Sequence, residues 1–164
     1  SFFQLAPVFG IDKDLGTKKC IGKYVNPVTE GTFAMEDTPN IGESMVENPG
    51  IYCKSANVSV LAANGKTPLI TLNQFGAGKA MYLSSFRVSK ESTRFLMRAL
   101  LTLLGKEDKV RDYICDNLYT ECAYYEEIDK LVVINNSGDT QKTVIKTAKG
   151  DVTVELAPFA TKIL

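Results

Sequence analysis

At Gly105 the chain changes period. Before it, "SKESTRFLMRALLTLLG" (89–105) carries Phe95, Leu96, Ala99, Leu100, Leu103 and Leu104 at helical spacing, a wide apolar face on one amphipathic helix. Ser89 stands where an N-cap belongs, Glu91 sits in the first turn, and Gly105 marks the stop. After it comes the charged connector "KEDKVRDYICDN". Then only short strand-like segments follow: "CAYYEE", "KLVVINN", "QKTVIKT", "DVTVEL" and "ATKIL". Glu127-Ile128-Asp129, Ser137-Gly138-Asp139, Lys149-Gly150 and Pro158 punctuate them, and Val152, Val154 and Leu156 alternate with polar neighbours. A chain that stops using helical period here folds as two units, and the second is a small antiparallel β-sandwich.

Upstream, "NVSVLAA" (57–63), "PLITLNQF" (68–75) and "KAMYLSSF" (79–86) read as strands, the first two joined by the hairpin signal Asn64-Gly65. The leucine face of the helix is expected to pack on the sheet these strands form. The first third is rich in Gly and Pro and reads as ordered loops, with a short helix within 2–9 whose Pro7 suits only the first turn. The expected organisation is an α/β unit over 1–110 followed by an all-β unit over 111–164. The first unit should leave an edge or an apolar face open, which favours self-association into a homo-oligomer.

Composition narrows the chemistry. Nineteen basic and nineteen acidic residues cancel among 164, so neither nucleic acid nor an anionic membrane surface is an expected partner. No apolar run reaches membrane-spanning length. There is no histidine, which removes Ser-His-Asp and Cys-His catalysis, His general bases and the common His-containing zinc sites. Cys20, Cys53, Cys115 and Cys122 form no C-x-x-C pair and read as free, mostly buried thiols in a reducing cytoplasm. The chain opens Ser1-Phe2-Phe3-Gln4 rather than with Met, and is read as a fragment of something longer.

"GAGK" (76–79) has the materials of a phosphate cradle but not its context. The first glycine of a P-loop would fall on Asn73, Ala80 replaces the magnesium-binding hydroxyl, Met81 replaces the third glycine of a dinucleotide fingerprint, and a strand follows instead of a helix. Gly76 and Gly78 are therefore expected to serve a tight hairpin. Ser84, Ser85, Arg87 and Ser89 lie between a strand end and the helix start, an edge that ligands favour in open α/β sheets, and Arg87 would hold an anion there. The plainer reading of the same residues is a capping Ser89 and a solvated Arg87. "DKDLG" (12–16) lacks the rest of a calcium loop, and Glu126-Glu127, adjacent in a strand, would face opposite ways. Asn57-Val58-Ser59 and Asn135-Asn136-Ser137 match a glycosylation sequon that short chance matches also produce.

The order of segments carries more than any one motif. "FFQLAPVFGIDKD", then "NVSVLAANGKTPLITLNQFGAGKAMYLSSFRVSKESTRFLMRALL", then "ECAYYEEIDKLVVINNSGDTQKTVIKT" resembles the C-terminal part of the 1,3-β-galactosyl-N-acetylhexosamine phosphorylases, the lacto-N-biose phosphorylases of glycoside hydrolase family 112. "FGAGKAMYLSSF", "STRFLMRALL" and "VVINNSGDTQKT" are its most specific pieces. The resemblance implies the later half of an amidotransferase-like α/β domain followed by the closing sandwich. It also implies an upstream (β/α)8 barrel as partner, in which galactosides and phosphate bind and the acidic proton donor sits. It carries no catalytic residue onto this chain and implies no metal or organic cofactor. "LSSFRVSKES" departs from the pattern expected in that loop, which leaves the substrate subgroup open, the galactosyl-rhamnose phosphorylases sharing the architecture. A competing reading is a carbohydrate-binding sandwich using Tyr119, Tyr124, Tyr125 and Phe159, weakened by the absence of Trp. An unrelated enzyme at the Ser84–Ser89 edge would need a base that the missing histidines do not supply.

Overall fold

The computed structural model describes residues 3–16, 22–110 and 112–164. They divide into two compact units, Ser1–Gly105 and Lys106–Leu164. Cys20 lies outside the described residues.

In the first unit a one-turn helix, α1 (Ala6–Phe9), leads into β1 (Ile11–Lys13), which pairs antiparallel with β2 (Ile51–Cys53). Between them run two 3-10 turns, Phe33–Met35 and Ile41–Ser44. Then β3 (Ser59–Asn64), β4 (Thr67–Phe75) and β5 (Gly78–Leu83) form a three-stranded meander in that order, both pairs antiparallel. The single described parallel contact outside the strands is a bridge from Val28 to Val60. The α/β character expected of this unit thus reduces to helices on an antiparallel sheet.

β4 is buried at four successive positions, Pro68 to Thr71, because both faces of the sheet are covered. On one side α1 is tied down by Asn73, whose amide donates to the carbonyls of Val8 (2.8 Å) and Pro7 (3.4 Å). Gly10 ends α1 at φ 67, and a Cβ there would stand 2.5 Å from Val58 and 2.8 Å from Asn73. Only glycine fits that turn and that gap. On the other side lies α2 (Lys90–Leu104), capped by Ser89 and terminated by left-handed Gly105, as the sequence predicts. Phe95 and Ala99 enter one core with Ala34, Met35, Ile41, Leu61, Leu69 and Ile70.

The expected leucine face is not the buried face. α2 buries Ser92, Phe95, Arg98, Ala99 and Thr102, while Leu96, Leu100 and Leu104 are exposed and Leu103 is half-buried. The two faces differ by about one residue, or roughly 100°, around the helix. The cause is Arg98. Its Nε donates to Asp37 Oδ2 at 2.7 Å, Nη2 reaches the same oxygen, and Nη1 donates to Glu36 Oε2 (3.3 Å) and to the Phe33 carbonyl (3.4 Å). The guanidinium lies 4.4 Å from the centre of the Phe33 ring. Arg94 adds a second contact to Asp37 Oδ2 at 3.4 Å. A planar fork held at this many points fixes the roll of the helix.

The second unit contains β6 (Ile114–Cys115), β7 (Thr120–Tyr125), β8 (Lys130–Asn135), β9 (Gln141–Lys146), β10 (Val152–Leu156) and β11 (Thr161–Ile163). They form two three-stranded sheets, β10-β9-β6 and β11-β8-β7, with every pair antiparallel. Cys115, Ile145, Val154 and Leu156 of the first sheet meet Leu131 and Val133 of the second in one core. Buried Asn135 stitches the sheets together. Its amide donates to the carbonyls of Asp139 (2.7 Å), Ala157 (2.9 Å) and Leu156 (3.4 Å), and its oxygen accepts from the Ser137 N–H and hydroxyl, both at 2.9 Å. The asparagine of the second sequon is therefore a structural hub, inaccessible to a glycan.

Two substitutions separate these roles. Phe95→Ala should cost about 3–5 kcal/mol of unfolding free energy, whereas Leu100→Ala should stay within about 0.5 kcal/mol, as an exposed position does. Asn135→Ala should cost roughly 1–3 kcal/mol for each buried partner it orphans. Urea unfolding followed by circular dichroism measures all three.

Candidate functional site

The glycine-rich loop is a corner. Phe75 pairs with Gly78, so Gly76 and Ala77 form a two-residue hairpin loop. Gly76 takes φ 57, while Gly78 is not in the left-handed region, so the need for glycine falls on Gly76 alone. The Lys79 ammonium donates to the Thr102 carbonyl at 3.2 Å. It shares that carbonyl with the Gly105 N–H, which donates to it at 3.2 Å, at the C-terminal end of α2, where the helix dipole also favours a cation. This lysine is part of the helix seat rather than a phosphate ligand.

The Ser84–Ser89 edge is spoken for in the same way. The Ser84 N–H donates to the Leu69 carbonyl at 2.8 Å, and its hydroxyl is buried with no protein partner. Ser85 Oγ accepts from the Val46 N–H at 2.7 Å. Arg87 contributes its carbonyl, which accepts from Ser92 Oγ at 2.6 Å, and its side chain is exposed. Ser89 and Ser92 cap each other: Ser89 Oγ accepts from the Ser92 N–H (3.1 Å), and Ser92 Oγ accepts from the Ser89 N–H (2.8 Å). These hydrogen bonds run to separate groups, at Leu69, Val46 and Ser92. Because β3, β4 and β5 run antiparallel, this edge also lacks the parallel strand ends that gather ligands in open α/β sheets.

Ser89 lines a hollow. It is about 300 Å³ in volume and is shared with Asp37, Thr38, Asn40, Ser44 and Glu91. Its charged lining is carboxylate. The Glu91 carboxyl is held below its ordinary range by its own backbone N–H and then by the Ser89 hydroxyl, at the positive end of α2. The helix terminus is thus already satisfied by a side-chain anion, and a second anion such as phosphate would meet two like charges. Hydroxyls and carboxamide suit this hollow better as ligands of neutral polar groups.

Other reactive groups are placed for structure. Burial pushes the Cys53 thiol and the Tyr82 phenol up, away from the nucleophilic form. Cys115 is buried, and the Cys122 thiol donates to the Tyr113 carbonyl at 2.9 Å. The Tyr124 phenol is pushed far up, chiefly by its 2.7 Å hydrogen bond to Asp129, and its ring stacks on Tyr113 at 4.0 Å between centroids. Asp129 is held down by that phenol and by Lys149. Tyr119, Tyr125 and Phe159 are exposed, with Tyr125 at the opposite end of β7 from the turn that Tyr119 and Phe159 flank. Among the described residues no group of three or more Cys, Asp or Glu is placed to hold a metal, and no helix is long and apolar enough to cross a membrane. Sequence reasoning missed Asp37, Arg98, Asn73 and Asn135. The readable signal was arginine four residues apart on α2 with the acidic pair Glu36-Asp37 upstream.

Comparison with known proteins places the chain in a family. Residues 1–108 match the family described as the lacto-N-biose phosphorylase central domain, and residues 113–164 match its C-terminal domain. The chain is 34% identical over its whole length to a D-galactosyl-β-1→4-L-rhamnose phosphorylase of Lachnoclostridium phytofermentans, of which it covers 22%. It is 31% identical, over 91% of its length, to a 1,3-β-galactosyl-N-acetylhexosamine phosphorylase of the same organism, of which it covers 20%. To the 1,3-β-galactosyl-N-acetylhexosamine phosphorylase of Bifidobacterium longum subsp. longum it is 28% identical over 91% of its length, covering 24% of that protein. The chain spans about a fifth of the length of the curated relatives it matches. Matched end to end by its central and C-terminal domains, the chain belongs to the lacto-N-biose phosphorylase family.

Proposed function

We propose that the chain is the non-catalytic C-terminal part of a glycoside phosphorylase, and that it supports a catalytic barrel lying outside it. The observation that carries this reading is the pair of domain matches, central and C-terminal, which together account for almost the whole chain. In the parent, phosphate attacks the anomeric carbon of a β-1,3-galactosyl-N-acetylhexosamine with inversion while a carboxylic acid protonates the leaving oxygen, giving α-galactose 1-phosphate and the free hexosamine. Both groups belong to the barrel. The cluster that this chain builds most firmly, Arg98 with Asp37 and Glu36, is consumed in holding α2, which suits support rather than chemistry.

Two finer points belong to the same reading. The first unit is the later part of an amidotransferase-like domain, and its described residues contribute one long helix over an antiparallel sheet. A glutaminase Cys-His pair cannot arise within a chain that has no histidine. The protein works in the cytoplasm, in keeping with the free, buried thiol of Cys53.

The acceptor has a second reading. The 34% identity over the whole chain to a galactosyl-rhamnose phosphorylase keeps L-rhamnose beside N-acetylhexosamine. Release of galactose 1-phosphate from lacto-N-biose, galacto-N-biose and β-1,4-galactosyl-rhamnose, each with inorganic phosphate, tests both points. The chain alone should give none, and the full polypeptide of its gene should turn over one of the three. Turnover by the chain alone would overturn the proposal.

A further inference from the structure

α2 turns an apolar face away from its own sheet. Leu96, Met97, Leu100 and Leu104 are 37, 62, 48 and 68% exposed, and Phe86 and Val88, on the loop that enters the helix, are 44 and 82% exposed. Positions 96, 100 and 104 form one row on a helix, and 97 lies beside it. Single exposed apolar residues are ordinary, but a continuous row along a helix marks an interaction surface. The face is not a by-product of poor packing, because the Arg98 fork holds the helix at the roll that exposes it.

We propose that this face is the surface on which the catalytic portion of the same polypeptide docks onto the first unit, an inference that rests on the function proposed above. The area favours a tethered module over a free second copy. A fully buried aliphatic side chain is worth 1.5–3 kcal/mol at about 25 cal/mol per Å², or roughly 60–120 Å². The six residues, about half exposed, therefore present on the order of 300 Å². Two copies would bury about 600 Å² in all, well short of the roughly 1,200 Å² of a stable association between separate chains. The same area lies within the roughly 600–1,500 Å² found between domains of one chain, where the tether supplies the effective concentration. The relatives supply the occupant, since about four-fifths of their length lies outside the part matched by this chain. Arg87 and Lys90, both exposed, rim the N-terminal end of the face. Glu91, also exposed, stands beside them, so the docking surface is apolar, with no particular charge called for at that rim.

Met97 reports on the face directly. Peroxide converts an accessible methionine to the sulfoxide, and mass spectrometry reads the rate at each position, with buried Met35 as the internal standard. In the isolated chain Met97 should oxidise readily, and in the full polypeptide of its gene at least tenfold more slowly. Leu100→Lys with Leu104→Lys should abolish that slowing while leaving the melting temperature of the isolated chain unchanged. Equal oxidation in the two proteins would overturn the proposal, as would a gene that encodes no further chain. Protection already present in the isolated chain, with a dimer by light scattering, would assign the face to a second copy and overturn it too. Galactose 1-phosphate release on the same preparations separates the two ideas: an active polypeptide with Met97 exposed removes only the docking surface, and an inactive one with Met97 protected removes only the functional reading.

Discussion

The Arg98–Asp37 pair decides how the first unit is put together. Asp37 follows the 3-10 turn Phe33–Met35, and Arg98 stands midway along α2, so one contact joins segments that are distant in sequence. The Arg98 side chain is 6% exposed, which makes its charge costly unless every donor is answered. Two carboxylates, a carbonyl and an aromatic face supply those answers. An ion pair in this setting adds little net stability over an apolar core of the same shape, but it specifies geometry, because losing either partner strands the other. What it specifies here is the roll of α2. Phe95 and Ala99 are carried into the core, Lys79 meets the end of the helix, and the leucine row is carried out.

That roll explains where sequence reading succeeded and where it failed. Hairpins and caps are local, so Gly65, Gly76, Ser89 and Gly105 each stand where their chemistry placed them, although the first loop is Gly65-Lys66, with Asn64 paired to Thr67. The alternation of Val152, Val154 and Leu156 likewise reads directly as one buried face, since Val154 and Leu156 enter the core of the second unit. The leucine row misled because α2 is apolar around much of its circumference. Periodicity alone cannot choose between the 95/99 and the 96/100 rows, and hydropathy favours the leucines. The choice is made by a long-range charge pair that no window along the chain contains. Asn135 escaped for a related reason: a buried polar hub and a surface sequon are spelled the same way.

The candidate site teaches a similar lesson. Serines beside a helix start resemble an anion cradle in one dimension, but here Ser85, Ser89 and Ser92 are engaged with backbone groups of the loop and helix, and Glu91 already occupies the positive end. The hollow beside them is lined by carboxylates as its charged groups. A chain built this way, from a family of galactoside phosphorylases, devotes its polar side chains to holding a shape. The shape then presents an apolar helix face at a fixed angle, which is what a supporting module needs in order to seat something larger.

The dependence on Arg98 can be measured by a double-mutant cycle, combining Arg98→Met and Asp37→Asn with the two single variants and following unfolding free energy in urea. If the pair fixes α2, each single change should be strongly destabilising, on the order of 3 kcal/mol or more. The double variant should then be about as stable as either single one, leaving a coupling energy of roughly 2 kcal/mol or more. Additive effects, with coupling within about 0.5 kcal/mol of zero, would mean that the two residues act independently and that the roll of the helix has another cause.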